Sequence, residues 1–349
     1  MSNRWPETRQ PCCTEGMDDY RAPWWLPGGN LQTIWAATRG ARYAAVRPEF
    51  RRERWATPDN DFVDVDWLLH DALDSRMQRP LLVVFHGLEG SSASHYAEAF
   101  ADVARERQWA CAVPHFRGCS GEINLAPRAY HSGDFAEIDW MLRRFKRQHA
   151  GPLMAVGVSL GGNALMRWAG ELESAAQELV CAVSAVCSPL DLAASGKAIG
   201  EGFNRQVYTR MFLGSMVPKA LQKLDQHPGL FSRQALLAAR DLHAFDNIVT
   251  APLHGFKDTD DYWSRASAKP HMARIQVPAL ALNARNDPFV PDWSLPALHE
   301  VSRSVTLWQP DQGGHVGFPA APGWPLSAHV RAMPQAVCGF LAQHLPTPA

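Results

Sequence analysis

From about residue 50 onward, short apolar runs alternate with amphipathic stretches. The runs are "FVDVDWLL" (62–69), "LLVVF" (81–85), "WACAVPHF" (109–116), "LMAVGVS" (153–159), "LVCAVSAVCS" (179–188), "PALALNA" (278–284) and "SVTLWQP" (304–310). The first alternates as a half-buried strand does, whereas "LLVVF" is typical of a strand covered on both faces. Strands that alternate with helices predict right-handed crossovers and a mostly parallel sheet, so the fold class is α/β.

The stretches between these runs have helical patterns. "SHYAEAFADVARERQ" predicts a helix capped by Ser94, and "GDFAEIDWMLRRFKRQH" predicts a second helix that begins near Asp134. "LGGNALMRWAGELE" predicts a third helix directly after Ser159. Each helix therefore connects two neighbouring strands of the predicted sheet.

The alternation breaks between residues 190 and 270. This segment is rich in helical patterns and lies between two predicted strands, so we predict a helical lid insertion over the carboxyl ends of the strands. The predicted core then comprises residues 50–189 and 271–349, and residues 1–49, rich in Pro, Trp and Gly, are expected to wrap around it. The apolar residues near helical spacing that should form one face of the lid are Phe203, Val207, Tyr208, Met211, Phe212 and Leu213.

A serine lies between two glycines where one predicted strand runs into a predicted helix. The stretch "GVSLG" (157–161) has the Gly-x-Ser-x-Gly pattern of a nucleophile elbow. Its glycines avoid collisions with neighbouring backbone, and the helix that follows favours negative charge at its N-terminus. We therefore predict Ser159 as a nucleophile. Ser120, in "RGCSGE", has the wrong spacing and is typical of a turn.

An activated serine needs a base and an acid that orients the base. In this setting the chain order is serine, acid, histidine. Asp287 follows one strand in "RNDPFVP", and His315 follows the last strand in "DQGGHVGF", where parallel sheets present their sites. We predict Ser159, Asp287 and His315 as a catalytic triad, and expect Gly313 and Gly314 to let the histidine loop approach the serine. The less favoured alternatives are Asp191 and Asp311 for the acid, and His299 and His329 for the base.

The developing oxyanion needs hydrogen-bond donors. The expected donors are the backbone N–H groups of Leu160, directly after the nucleophile, and of Leu88, in "HGLEGSS" at the end of a central strand. His86 is expected to brace this loop rather than to react.

Composition limits the other functions. Lys and Arg number 34 against 35 Asp and Glu, which argues against a nucleic-acid partner. The seven Cys include no Cys-x-x-Cys pair that would suggest a zinc site or a redox motif, and we expect a reducing compartment. The triad mechanism implies no metal and no organic cofactor. The first twenty residues have no apolar segment of the signal-peptide type, and no apolar run is long enough to span a bilayer. A cytoplasmic location is expected, compatible with transient contact with a lipid surface.

Motifs along nearly the whole chain resemble the YheT-type branch of the alpha/beta-hydrolase superfamily, also called the alpha/beta-hydrolase-4 family. They are "PWWLPGGNLQTIW", "TPDNDFVDVDW", "HGLEGSSASHY", "PHFRGCSGEIN", "YHSGDFAEIDW", "GVSLGGNAL", "FDNIVTAPLHGFKDTDDYW" and "NARNDPFVP". The resemblance implies an alpha/beta-hydrolase fold, with the nucleophile, acid and histidine at Ser159, Asp287 and His315. It also implies carboxylic-ester hydrolysis, with lipid esters as substrates of some relatives. Two departures are Asn30, where the family usually has His, and Asn60, where its "TPDGD" form has Gly.

The leading hypothesis is a serine esterase that forms an acyl-enzyme with small or lipid-like esters. An acyltransferase or thioesterase would use the same triad, and a non-catalytic hydrolase fold that binds a ligand is a further alternative. The lid face is expected to form part of the acyl pocket. Candidate pocket walls are Trp140, Trp168, Trp263, Trp293 and Trp324.

Overall fold

A computed structural model describes residues 20–69, 78–321 and 327–346. The strands are β1 Phe50–Ala56, β2 Phe62–Leu68, β3 Leu81–Phe85, β4 Ala110–Pro114, β5 Leu153–Val158, β6 Ala182–Val186, β7 Ala279–Leu282 and β8 Val305–Trp308. They form one sheet in the order β1-β2-β4-β3-β5-β6-β7-β8. The pairs β1–β2 and β2–β4 are antiparallel. The other five neighbouring pairs in this order, from β4–β3 to β7–β8, are parallel. The predicted α/β class and mostly parallel sheet are confirmed.

Strand β1, "FRRERWA", was not predicted from the sequence because it is rich in charge. Arg52 lies opposite Asp66 and Arg54 opposite Asp64 in the β1–β2 register. Each guanidinium donates two hydrogen bonds to its partner carboxylate, at 2.8 and 2.9 Å. Both aspartates are therefore buried, and β2 is covered on both faces rather than half-buried as its alternating pattern predicts.

The turn between β1 and β2 explains one departure from the family pattern. Asn60 has φ +58°, in the left-handed region that only glycine, asparagine and aspartate adopt readily. The Asn60 N–H donates to the carbonyl of Thr57 at 3.2 Å, and the Thr57 N–H donates to the carbonyl of Asp61 at 3.0 Å. Asparagine can therefore occupy this left-handed turn position, where the family pattern has glycine.

Twelve α-helices connect and flank the strands in the described part of the chain. They are α1 Gly29–Thr38, α2 His95–Glu106, α3 Phe135–Gln148, α4 Leu160–Leu172, α5 Leu192–Ile199, α6 Gly202–Asn204, α7 Arg210–Gln226, α8 Arg233–Ala238, α9 Leu242–Phe245, α10 Ala251–Leu253, α11 Thr259–Ala266 and α12 Ala332–Ala342. A π-helical turn, Arg205–Thr209, joins α6 to α7, and another, Asp246–Thr250, joins α9 to α10. Short 3-10 helices span Glu173–Glu178, Lys269–Arg274, Asp292–Ser294 and Leu298–Glu300.

Helices α2 and α3 begin where the sequence predicts, but without the expected capping bond. Ser94 precedes α2, yet its hydroxyl accepts from the Ser91 N–H at 3.0 Å instead of from the helix. Asp134 precedes α3, and its carboxylate pairs with Arg128. Local hydrogen bonds and charge compete with the cap at both positions.

The core lies on both faces of the sheet. Leu81, Val83 and Phe85 of β3 pack on the side of α3 and α4, whereas Leu82 and Val84 pack on the side of α2 and α12. All five side chains are fully buried, and each stabilises the fold by about 1.5–3 kcal/mol. This two-sided burial accounts for the continuous apolar run that predicted a central strand.

The segment between β6 and β7 is helical, as predicted, but its apolar residues do not share one face. Tyr208 is buried, and Phe212 packs against the same cluster. Phe203, Val207 and Met211 follow one another at intervals of four and are exposed. The two sets are one residue out of step, which is about 100° around a helix.

In residues 20–69, 78–321 and 327–346, no helix combines the length and the hydropathy that crossing a bilayer requires. The cytoplasmic location stays a prediction. Residues 1–19, with Cys12 and Cys13, lie outside the described residues, as does Trp324.

Candidate active site

Ser159 lies in a tight turn between β5 and α4. Its φ and ψ are +51° and −119°, a conformation that costs a non-glycine residue free energy and occurs mainly at functional sites. A Cβ on Gly157 would lie 2.4 Å from the carbonyl oxygen of Gly161, and one on Gly161 would lie 2.5 Å from that of His86. The two motif glycines are therefore required by close backbone contacts on either side of the serine.

The side chains of Ser159, His315 and Asp287 meet at the carboxyl ends of the strands. The Ser159 Oγ lies 3.0 Å from His315 Nε2, and His315 Nδ1 lies 2.8 Å from Asp287 Oδ2. Nδ1 must donate to the carboxylate, so Nε2 is free to accept the serine proton. The geometry brings together the three residues that the sequence analysis selected.

The carboxylate of Asp287 is held by its own loop. Its Oδ1 accepts from the N–H groups of Phe289 and Val290, at 2.8 and 3.3 Å, which directs Oδ2 at the histidine. The less favoured candidates for the acid and the base make other contacts or are exposed. Asp191 caps α5 by accepting from the Ala194 N–H, Asp311 is 94% exposed, and His329 forms an isolated bridge with Ala320.

The loop that carries His315 rests on helix α1. The His315 N–H donates to Thr33 Oγ1 at 2.8 Å, and the Gly313 N–H donates to Gln32 Oε1 at 2.9 Å. Gln32 Oε1 also accepts from the Asn286 side-chain amide at 3.0 Å, and the Asn286 Oδ1 accepts from the Gly314 N–H at 2.9 Å. One polar network thus orients the loop that carries the acid and the loop that carries the base.

This role of α1 was not predicted from the sequence, since residues 1–49 were expected only to wrap around the body. Gly313 and Gly314 were expected to let the histidine loop approach the serine. Gly314 has φ +62°, and a Cβ there would lie 2.6 Å from the carbonyl oxygen of Gly29. Gly314 therefore also permits close approach to α1. The resemblance motif "GGNLQTIW" contains Gln32 and Thr33 and was the available signal.

Asn30, the other departure from the family pattern, also lies on α1. Its Oδ1 accepts a hydrogen bond of 3.0 Å from the Tyr208 hydroxyl. The contact joins α1 to the helices that follow β6.

The loop after β3 approaches the serine from the other side. A Cβ on Gly87 would lie 3.2 Å from Ser159 Cβ. The Gly87 N–H donates to the Tyr96 hydroxyl and the Glu89 N–H donates to the Tyr130 hydroxyl, both at 2.9 Å. Between them, the Leu88 N–H has no acceptor in the described part of the chain. Leu88 and Leu160 both line the cavity that contains Ser159.

Two further histidines brace the site without contacting the serine. His86 donates from Nδ1 to the carbonyl of Gly87 at 2.7 Å and accepts at Nε2 from the Phe116 N–H at 3.0 Å. Burial lowers its pKa to about 3. His95 donates from Nε2 to the Val316 carbonyl at 3.0 Å, and burial lowers its pKa to about 4. Both rings are therefore neutral at physiological pH.

Cys187 lies beside the acid and the base. Its Sγ, a carboxylate oxygen of Asp287 and a ring nitrogen of His315 lie within 4.8 Å of one another, which is a ligand set that a metal ion could use. Both imidazole nitrogens are already engaged, however, and burial raises the pKa of the thiol well above its ordinary value. The thiol accepts from the Val316 N–H at 3.2 Å. Because the imidazole is engaged on both sides and the thiol keeps its proton, these side chains fit proton transfer between Ser159 and His315 better than they fit metal binding.

An apolar cavity of about 650 Å³ opens in front of Ser159. We call it the serine cavity and define it by Ser159, Leu192, Phe212, Trp263 and Phe289. The Phe289 ring packs on the His315 ring, with centroids 4.2 Å apart. Of the described candidate tryptophans, Trp263 alone lines this cavity, since Trp140 and Trp168 pack in the core and Trp293 is exposed.

The family model of the alpha/beta hydrolase fold matches residues 80–322. The chain belongs to the alpha/beta-hydrolase family. The protein YheT of Escherichia coli (strain K12), which its name assigns as an esterase, is 40% identical over 271 residues, covering 76% of this chain and 78% of YheT. This similarity confirms the YheT-type resemblance noted in the sequence.

More distant relatives include human phospholipase ABHD3 and the monoacylglycerol lipase of Saccharomyces cerevisiae. The first is 25% identical over 303 residues, covering 82% of this chain and 72% of its own. The second is 29% identical over 255 residues, covering 70% of this chain and 56% of the lipase. With these named relatives, the predicted class of carboxylic-ester hydrolase is confirmed.

Solved structures share the fold at low identity. The esterase Pf2001 of Pyrococcus furiosus superimposes with a TM-score of 0.51 at 16% identity, covering 86% of this chain and 94% of its own. Est1E of Butyrivibrio proteoclasticus, bound to ferulic acid, superimposes with a TM-score of 0.53 at 11% identity. The match covers 84% of this chain and 98% of Est1E. At these identities the likeness concerns the fold alone.

Proposed function

We propose that this protein hydrolyses carboxylic esters through an acyl-enzyme on Ser159. The observation that carries the proposal is the continuous line of hydrogen bonds from Ser159 Oγ through His315 to Asp287, at 3.0 and 2.8 Å. The strained backbone of the serine at the start of α4 supports it. Its substrates are small-molecule esters, including lipid-like ones, because the walls around the serine are mostly apolar.

In the first half of the reaction, His315 Nε2 takes the proton of Ser159 Oγ while Oγ bonds to the ester carbonyl carbon. The carbonyl oxygen becomes an oxyanion, which the N–H groups of Leu88 and Leu160 stabilise. The carbon–alkoxy bond then breaks, and His315 returns its proton to the departing alcohol oxygen. Asp287 holds the correct tautomer and stabilises the imidazolium.

In the second half, His315 takes a proton from water, and the water oxygen bonds to the acyl carbon. The bond to Ser159 Oγ breaks, Oγ regains a proton from His315, and the carboxylic acid leaves. Every step uses protons and electron pairs that the triad and the two substrates supply.

The helices between β6 and β7 act, in this proposal, as the lid. Phe212, Trp263 and Tyr262 from this segment line the serine cavity. A cover of this kind shields the bound ester from bulk water and strengthens the electrostatic interactions inside.

A fluorophosphonate probe tests the nucleophile, because only an activated serine reacts with it. We expect the probe to label Ser159, and we expect turnover of p-nitrophenyl acetate with release of free acetate. Labelling of another residue, or none with intact protein, would refute the mechanism.

A further inference from the structure

Two apolar cavities meet at the candidate active site. The serine cavity contains Ser159, and a second cavity of about 670 Å³ lies beside it. We call the second one the α7 cavity and define it by Tyr130, Met216, Ala220, Val249 and Leu253. The residues shared by the two cavities are Leu88, Leu160, Met216, Asp246 and Tyr262.

The proton returned by the histidine determines where the alcohol part of the ester must lie. The departing alcohol oxygen takes its proton from His315 Nε2, so the alcohol part lies on the His315 side of the serine. Phe289, whose ring packs on His315, lines the serine cavity. The alcohol part therefore belongs in the serine cavity.

The α7 cavity adjoins the candidate oxyanion donors rather than the serine. Leu88 and Leu160, whose N–H groups are those donors, line it, whereas Ser159 and Phe289 are not among its described lining residues. A substituent of the reacting carbon that enters this cavity would pass these donors. The one remaining substituent of the carbonyl carbon is the acyl chain.

The chemistry of the α7 cavity suits a hydrocarbon chain. Three cations line it, but all three are bonded within the protein. The pairs are Arg117 with Asp59, Asp61 and Glu137, Lys219 with Glu89, and Lys223 with the carbonyl oxygens of Asn124 and Ala126. An anionic head group would have to break these bonds, whereas methylene groups would contact the apolar wall between them.

The serine cavity contains a buried polar group that lacks a partner among the described residues. Ser195 lines it, is 2% exposed, and its hydroxyl has no hydrogen-bond partner in the described part of the chain. A buried hydroxyl without a partner is unfavourable, and an oxygen of the alcohol part would satisfy it.

We propose that the α7 cavity binds the acyl chain of the ester and that the serine cavity binds an alcohol part whose oxygen-bearing substituent contacts Ser195. The substrate class is then an ester between an apolar carboxylic acid and a hydroxylated alcohol. This inference rests on the function proposed above. It differs from the sequence-based expectation that the face with Met211 and Phe212 would form the acyl pocket.

The first test changes the size of the α7 cavity. Val249→Phe fills it and Val249→Ala enlarges it, and Val207→Phe and Val207→Ala are matched controls at an exposed valine of the neighbouring helix. The measurement is kcat/KM for p-nitrophenyl esters from acetate to palmitate. We expect Val249→Phe to lower the ratio of octanoate to acetate about tenfold or more, Val249→Ala to shift the preference to longer chains, and the controls to match the parent protein.

A second series keeps octanoate as the acid and changes the alcohol from ethanol to glycerol. The Val249 variants should alter the ratio between these two esters less than twofold. If they shift the alcohol series and leave the acyl series unchanged, the assignment is reversed. If neither series changes in Val249→Ala, the α7 cavity binds neither part.

The third test is Ser195→Ala. We expect kcat/KM for the glycerol ester to fall about fivefold to tenfold while that of the ethyl ester stays within twofold. An equal fall for both esters would overturn the hydroxyl contact. Failure of the proposed function looks different, because the parent protein would then neither react with a fluorophosphonate nor turn over any ester.

Discussion

The serine and histidine loops reach the same site in different ways. The turn at Ser159 is built from five consecutive residues, whose glycines prevent contacts of 2.4 and 2.5 Å with backbone oxygens. The loop of His315 depends on Thr33, which is 282 positions away along the chain. The comparison shows that a nucleophile can be encoded locally, whereas its base is oriented by a distant segment.

The two loops should therefore respond differently to substitution. Substitutions of the two glycines in the serine turn should affect stability and activity together, because the added Cβ forces the backbone to move. Changes in the α1 contact should affect the rate with little effect on stability, because only the orientation of the imidazole is altered.

Ser159→Ala should have the largest effect on activity. The loss of kcat should be between about 10³-fold and about 10⁶-fold, as for other triad nucleophiles, with an unchanged thermal unfolding midpoint. Ester assays and thermal denaturation measure both. A variant that keeps comparable kcat would show that the serine turn is not the reactive region.

Asp287→Asn should follow, with a loss of about 10⁴-fold in kcat, because the amide favours the wrong tautomer of His315. Asp191→Asn is the matched control, since asparagine still caps α5 and should change kcat less than twofold. A larger loss in Asp191→Asn would move the acid to the loop after β6.

Gly161→Ala tests the local construction of the serine turn. The added Cβ meets the carbonyl oxygens of His86 and Phe85 at 2.5 and 2.7 Å, so we expect a loss of about 1–3 kcal/mol in the free energy of unfolding and a fall in kcat of about 10²-fold. Gly214→Ala, with nothing within 4 Å of the new Cβ, should be neutral or stabilising. Equal unfolding midpoints for the two variants would contradict the packing argument.

Thr33→Val should have the smallest effect of the four and decides whether α1 orients the base. It removes the acceptor of the His315 N–H, so we expect kcat to fall about threefold to tenfold while KM changes little. Thr38→Val, on the same helix but exposed and bonded only to its own turn, is the control. If both variants behave alike, the contact of α1 with the histidine loop does not contribute to the rate.

The sequence by itself determined the features that depend on neighbouring residues. The apolar runs predicted seven of the eight strands, because a strand buried on both faces must be continuously apolar. The order of Ser159, Asp287 and His315 followed from the ends of those strands. The capping positions of α2 and α3 were correct, although the side chains at both make other contacts.

Only the tertiary structure decided features that join distant residues. Strand β1 is charged, and it joins the sheet because Arg52 and Arg54 meet aspartates of β2. The roles of Gln32 and Thr33 appear only when α1 contacts the histidine loop. The inward orientation of Phe212 and the outward orientation of Met211 depend on which face of the helix packs against Phe289 and its neighbours. Contacts between residues so far apart have no local pattern, because the packing of the folded chain, and not the period of a helix or strand, sets which side chains meet.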